Sequence, residues 1–247
     1  KLSFWLLFYS YFCNMIIHYT KDINLDHNTI TLTGDEAQHC AKVLRKRMGE
    51  DIYVTDGEGA LHSCKIIEIS KTECKAEIFN TLQQSKRLYD LTISICPTKK
   101  QSRIEWFLEK AVEIGVSRII LTQTQRTEKS RLKEVRLHKI VVAAMKQSKN
   151  LYLPQVITNQ NWNDLIQCND YGDKYIAHCE DPKTHLAKIC GPAQDCIVAI
   201  GPEGDFTTQE IKLALELGWK EINLGSSRLR TETAGVVVAS VLAQINM

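Results

Sequence analysis

CIVAIGPEGDFTTQE, residues 196–210, is the stretch that decides the fold. Cys196 to Ile200 is a continuous apolar strand, the kind a parallel sheet buries on both faces. Gly201-Pro202-Glu203-Gly204-Asp205 follows at once. Its glycines permit close backbone approach or positive φ, and Pro202 stiffens the turn and removes one N–H. Thr207 and Glu210 then match the T-x-x-E capping box, which starts a helix running to Gly218. Working outward, Glu221 to Leu224 predicts the next strand and Gly225-Ser-Ser-Arg-Leu-Arg230 a loop. Thr231 opens a last helix, AGVVVASVLAQI. Both loops therefore follow buried strands, where ligands of open parallel sheets sit.

The same rhythm extends upstream to Asp90. Leu91 to Cys96 reads as a strand, and Ser102 to Glu105 as another capping box. That box leads a helix burying Ile104, Phe107, Leu108, Ala111 and Val112, which Gly115 ends. Val116 to Thr122 predicts a strand, Leu132 to Ser148 a helix, and Tyr175 to His178 a short strand. Repeated strand–helix units imply an α/β domain over 90–247, with a mostly parallel sheet covered on both faces. Residues 15–81 read differently. Asn28–Thr33, Asp51–Thr55, His62–Ser70 and Glu73–Phe79 alternate as strands, with one helix near Asp35–Arg47, which predicts a small β-barrel. The polar, basic stretch 82–89 is the expected linker. No internal repeat or low-complexity tract is present.

Composition sets the outer bounds. The 247 residues carry a net charge of only +2, which excludes a protein that coats nucleic acid through bulk charge. The basic residues cluster: Lys42, Arg45, Lys46 and Arg47; then Lys99, Lys100 and Arg103; then Arg126, Lys129, Arg131, Lys133 and Arg136. Each run is either a solvated face or part of a patterned binding surface. The nine cysteines include no C-x-x-C pair, so zinc-ribbon spacing is absent, and reduced thiols in a cytoplasmic protein are expected. Residues 1–14 stand apart as an almost wholly apolar segment. They read as extraneous or mis-started, since no A-x-A-like cleavage site follows and the run is short for a membrane span. A native reading would make them a membrane anchor.

Neither loop is a G-x-G-x-x-G fingerprint or a P-loop, which disfavours a nucleotide phosphate. Their backbone N–H groups, hydroxyls and guanidinium groups suit a ligand with a polar base and an amino-acid end; ordinary strand-to-helix turns are the alternative. No G-x-S-x-G occurs and the seven histidines are dispersed, so neither a Ser–His–Asp triad nor a metal is expected. His178 and His39 fit packing roles as well as functional ones.

IGPEGDF (200–206) and LGSSRLRTETA (224–234) together resemble the C-terminal motifs of the ribosomal RNA small subunit methyltransferase E family, the 16S rRNA (uracil(1498)-N(3))-methyltransferases of the SPOUT superfamily. EKAVEIGVSRI (109–119), AAMKQSKNLYLPQV (143–156) and HCAKVLRKRMGEDIYVTDGEG (39–59) resemble further segments of that family. The resemblance spans nearly all of 15–247. It implies a C-terminal SPOUT domain with a deep trefoil knot, an N-terminal PUA-like RNA-binding domain and a homodimer. It also implies an S-adenosylmethionine site contacted by Ile200, Gly201 and Gly204 from one loop. Leu224, Gly225, Ser226, Leu229, Arg230 and Thr231 would contact the donor from the other. Three departures stand out. Asp205 replaces the second glycine of GPEGG, Gln125-Arg126-Thr127 replaces an acidic–Arg–Ser triplet, and Asn150 replaces an arginine.

The implied reaction is methylation of uridine N3 in 16S rRNA of the small ribosomal subunit, without a metal. Arg230 is the expected stabiliser of the developing uracil anion, and Glu203 or Glu232 the base. Lys42, Arg45, Lys46, Arg47, Lys99, Lys100, Arg103 and Arg126 are the expected RNA contacts, mainly to phosphate. Two competitors stay open: a non-catalytic RNA-binding or ribosome-assembly protein with a relic pocket, and a SPOUT enzyme acting on another base.

Overall fold

Alternation of buried and outward-facing residues builds the first of two units. The computed structural model describes residues 15–128, 133–180 and 184–247. The apolar segment 1–14, and Lys129 and Arg131 of the third basic run, lie outside the described residues. The first unit takes the chain up to Lys86 together with Met145–Leu153, and the second takes Arg87–Ala144 and Pro154–Met247.

In the first unit, β1 (Ile17–Tyr19), β2 (Ile23–Asn24), β3 (Thr29–Thr33), β4 (Asp51–Thr55), β5 (Ala60–Ile69) and β6 (Glu73–Gln83) form one sheet in the order β1-β4-β5-β6-β3-β2. All its pairs are antiparallel except β1 with β4. The inward positions Ile30, Leu32, Ile52, Val54, Cys64, Ile66, Cys74 and Ala76 make its core. β6 runs on to Gln83, so the first residues of the stretch expected as linker are strand.

The helix expected over 35–47 is shorter and changes register. α1 (Gly34–Gln38) passes into a π-helical turn at His39–Val43. The wider turn closes through Leu44 N–H to the His39 carbonyl at 2.9 Å, and Arg45 then takes φ +54°. Ala37 and Cys40 stay on the core while Lys42, Arg45 and Arg47 remain exposed. The segment 145–153 fits this unit through Leu151, packed on Ile17 and Leu61. Its Tyr152 ring would lie 2.4 Å from any Cβ at residue 59, where φ is +99°, so only glycine serves there.

The second unit is a seven-stranded sheet in the order β11-β13-β10-β12-β7-β8-β9, with every pair parallel. The strands are β7 (Leu91–Ile95), β8 (Arg118–Gln123), β9 (Gln155–Asn161), β10 (Asp173–Ala177), β11 (Thr184–His185), β12 (Cys196–Ile200) and β13 (Lys220–Asn223). β7 and β12 are buried along their whole length, and Ser94 of β7 is satisfied internally: its Oγ lies 2.7 Å from Thr122 Oγ1. The helices are α2 (Gln101–Ile114), α3 (Glu134–Ser148), α4 (Trp162–Gln167), α5 (Leu186–Ile189), α6 (Thr208–Glu216) and α7 (Thr231–Ile245). α7 packs closely on α2 and β7, because a Cβ at Gly235 would sit 2.4 Å from Phe107 and 3.2 Å from Ile95.

The two expected capping boxes part company. Thr207 and Glu210 form both reciprocal bonds at the start of α6. Ser102 does not cap α2, which starts at Gln101 with Lys100 as N-cap. The Glu105 carboxylate instead accepts from Gln101 Nε2 at 2.8 Å and pairs with Arg136 on α3, which holds it below the usual carboxylate range. The interhelix ion pair has taken the carboxylate that the box needed.

β9 and α4 were not legible as elements. Trp162 of α4 packs against Phe206 and Trp219, with ring centroids 4.7 and 5.7 Å away. The cysteines behave mostly as small apolar residues: Cys40, Cys64, Cys74, Cys96, Cys190 and Cys196 are buried and free. Burial pushes the Cys64 thiol up to about 12 and the Cys96 thiol up to about 11. Among the described residues no helix is long and apolar enough to cross a membrane.

Candidate functional site

Three neighbouring parallel strands, β12, β10 and β13, end side by side, and their trailing loops enclose a cavity of about 880 Å³. Carboxyl ends of adjacent parallel strands necessarily point the same way, which is why such cavities form there. Ile200 and Gly201 line it from the first loop, and Leu224, Gly225, Ser226, Leu229, Arg230 and Thr231 from the second. Gly204 is the one expected donor contact that does not line it. Its backbone carbonyl faces Arg126 instead, accepting from Nη1 at 2.8 Å.

The first loop is braced from four sides. Arg126 also reaches the Phe206 carbonyl at 3.4 Å, and the Thr231 hydroxyl donates to the Gly201 carbonyl at 3.2 Å. Glu203 Oε1 accepts from the Lys99 backbone N–H at 3.2 Å. The fourth brace is Asp205, whose φ is +62°, in the left-handed region that Asp tolerates better than most residues. Its Oδ2 accepts from the Cys179 backbone N–H at 2.8 Å, linking this loop to the one after β10. The departure from glycine at 205 thus supplies a carboxylate brace. Gly201 is closely confined, since a Cβ there would meet the Phe206 ring and backbone N at 3.0–3.1 Å.

The second loop is mostly exposed. Gly225 has φ +124° with nothing within 4 Å of a Cβ position, and Ser226, Ser227 and Arg228 are open to solvent. Arg230 is exposed at the cavity rim as N-cap of α7. Thr231 is buried behind it.

Of the two acids expected near the reacting base, only Glu203 lines the cavity. Glu232 is buried in the first turn of α7, where the helix dipole favours a carboxylate. Its Oε1 lies 3.5 Å from Arg103 Nε. Its Oε2 is buried with no hydrogen-bond partner among the described residues. Among the expected RNA contacts, Lys42, Arg45, Arg47, Lys99 and Lys100 are exposed. Lys46 donates to the Asp51 carbonyl at 3.0 Å, and Lys99 Nζ lies 3.2 Å from Glu128. Arg103 and Arg126 are engaged as described. Asn150 turns inward on its own loop, accepting from Tyr152 N–H at 3.2 Å.

Of the loop after β10, the sequence singled out His178 alone, as either a pocket-lining or a packed core histidine; its neighbours Ala177 and Cys179 were not anticipated as a wall of the site. Ala177, His178 and Cys179 line the cavity, as do Pro202, Ile222, Asn223, Ser227, Arg228 and Ala234. The short strand before His178 was the only local signal, and strand order is what brings its end beside the two glycine loops. His178 is a satisfied histidine. Nε2 donates to Glu221 at 2.9 Å and Nδ1 accepts from Glu180 N–H at 3.3 Å, which fixes the neutral Nε2–H tautomer.

Comparison with known proteins matches these units to named families. Residues 67–243 match the RNA methyltransferase domain model, and residues 32–79 the RNA methyltransferase PUA domain model. The ribosomal RNA small subunit methyltransferase E of Buchnera aphidicola is 29% identical over 237 residues, covering 91% of each chain. A crystal structure described as a probable rRNA-methyltransferase from Porphyromonas gingivalis superposes with a TM-score of 0.87. It is 32% identical, covering 94% of this chain and 98% of that one. The ribosomal RNA small subunit methyltransferase E of Neisseria gonorrhoeae, solved bound to S-adenosyl methionine, gives a TM-score of 0.83 at 26% identity, with the same coverage.

Fold and site therefore define a class: an RNA methyltransferase with a PUA domain joined to a parallel α/β domain. Within that class, the chain belongs to the ribosomal RNA small subunit methyltransferase E family.

Proposed function

We propose that this protein transfers a methyl group from S-adenosylmethionine to N3 of one uridine, the 1498-equivalent, in 16S rRNA of the small ribosomal subunit. It does so as a cytoplasmic homodimer. The observation that carries the reading is the cavity where both signature loops meet the carboxyl ends of β10, β12 and β13.

The cavity's chemistry fits such a donor. Ile200, Ile222, Leu224 and Leu229 offer apolar surface for a flat base. Glu203 and Asp205 with Arg228 and Arg230 offer both signs of charge for a zwitterionic amino-acid end. Gly225 leaves open space where any other residue would place a side chain. When bound, S-adenosylmethionine supplies an electrophilic methyl carried on a sulfonium.

The chain's own residues then have distinct tasks. The braced first loop holds one wall still, so that the acceptor nitrogen is placed rather than searched for. Arg230, exposed at the rim, stabilises charge developing on the uracil. Glu203 takes the N3 proton; of the two candidate bases, Glu203 and Glu232, it is the one that lines the cavity. Glu232 pairs with Arg103 and positions the start of α7. Lys42, Arg45, Lys46, Arg47, Lys99 and Lys100 hold RNA phosphates, an electrostatic contribution that salt weakens. Arg126 serves RNA indirectly by holding the Gly204–Phe206 backbone.

The test is transfer of label from tritiated S-adenosylmethionine to small subunits from cells lacking the gene, followed by nucleoside analysis. Label in N3-methyluridine at one position is the expected result. Label in another nucleoside keeps the enzyme class and moves the target. Donor binding without transfer overturns the reading and favours a non-catalytic RNA-binding protein.

A further inference from the structure

A second cluster of side chains lies wholly within the first unit. His18 is in β1, Glu36 in α1, and His39 opens the π-helical turn. His18 Nδ1 donates to Glu36 Oε2 at 3.0 Å, and the His18 and His39 ring centroids are 5.6 Å apart. One ligating atom from each of the three residues lies within 4.8 Å of the other two. The second carboxylate oxygen of Glu36, Oε1, accepts from the Lys146 ammonium.

We propose that His18, Glu36 and His39 form a binding site for a divalent cation of the zinc class, which clamps β1 to α1. Two imidazoles and one carboxylate are a borderline-soft set; they suit Zn²⁺, whereas Ca²⁺ and Mg²⁺ take oxygen ligands. Ligands at zinc distances in a tetrahedron stand about 3.4 Å apart. The His18–Glu36 pair stands slightly inside that spacing, at 3.0 Å; the cation takes the place of the shared proton, and His18 binds it as the tautomer that carries its proton on the other ring nitrogen. His39 is half-exposed, so its ring has room to close the remaining gap. Glu36 and His39 are three residues apart on a helical turn and share one face. His18 is buried, with a side chain 1% exposed, and gives the site a fixed floor. The half-exposed side leaves solvent to complete the coordination. Lys146 bonds the carboxylate oxygen that the cation does not need, as outer partners of metal ligands do. Its charge also opposes the cation, so the ion is expected to exchange readily with a chelator.

The site can be read directly with cobalt as a spectroscopic stand-in for zinc. The full chain, freed of metal by chelator, is titrated with Co²⁺ and followed by visible absorption. The expected result is a single equivalent with d–d bands, no thiolate charge-transfer band, and displacement by Zn²⁺. His39→Gln weakens binding about tenfold or more and removes the rise in melting temperature that Zn²⁺ gives the parent chain. Glu36→Gln, nearly isosteric, supplies the same reading where His39→Gln folds poorly. An absent band, a thiolate band, or a band unchanged in these variants overturns the site and leaves His18 and Glu36 as a hydrogen-bonded brace with the His39 ring packed beside it.

Discussion

The two loops that meet at the cavity are built in opposite ways. Residues 201–205 are held by Arg126, Thr231, Lys99 and the Asp205–Cys179 bond, and Gly201 has no spare room. Residues 225–230 are largely exposed, and Gly225 faces open space. One wall is preorganised, the other adaptable. A site of this design can recognise a ligand without a folding transition, because only one loop needs to settle on it. The comparison also separates two meanings of a signature glycine. Gly201 is required by what surrounds it, whereas Gly225 is required by its own backbone angle.

Substitutions in each loop test that contrast. The largest effect is expected at the braced wall. Gly201→Val pushes into Phe206 and costs about 1–3 kcal/mol, which for a chain of this size lowers the melting temperature by roughly 2–4 °C per kcal/mol. An unchanged melting curve would show that the wall yields and is not preorganised. Next comes Asp205→Ala, which removes the bond to Cys179 N–H and leaves alanine at positive φ, for about 1–2 kcal/mol. Asp205→Gly relieves the backbone but not the lost bond, so its loss is smaller. Equal losses in the two variants would assign the whole effect to the carboxylate.

Gly225→Ala reverses the pattern. The exposed loop relaxes around the new side chain, so melting shifts little. Affinity for S-adenosylhomocysteine, read by calorimetry, falls about tenfold as the strained backbone must be restored on binding. A drop in melting temperature as large as that of Gly201→Val would erase the distinction between the loops. The smallest effect compares the two capping sequences. Thr207→Ala loses a formed box beside the braced loop and costs about 1 kcal/mol, while Ser102→Ala stays within about 0.5 kcal/mol. Equal values from chemical denaturation would mean that the Thr207 box contributes nothing to that wall.

Much of the fold was legible because the signals are local. β4 and β12 lie where the alternating run 51–55 and the apolar run 196–200 place them, and α7 starts at Thr231. The elements that were missed or misjudged depend on partners distant in the chain. Ser102–Glu105 carries the right letters for a cap, but Glu105 is claimed by Arg136, 31 residues away. The helix over 35–47 gave way to a π turn, which keeps Cys40 on a core formed largely by strands later in the chain. Asp205 was visible as a departure from glycine, and its tolerance of positive φ could be anticipated. Its bond to Cys179, 26 residues upstream, could not.

What the sequence determined by itself, then, is the material of the site: two glycine-bearing loops after apolar strands, with Arg230 and Glu203 within them. Spacing along the chain encodes strands, caps and turns because their interactions span only a few residues. The tertiary structure alone decided which pieces meet. Setting β10 between β12 and β13 brings His178 and Cys179 into the cavity wall. Packing β1 against the turn after α1 brings His18 to Glu36 and His39, histidines that look dispersed along the chain. Strand order and packing depend on the sum of many weak, long-range contacts, and no short window of sequence contains that sum.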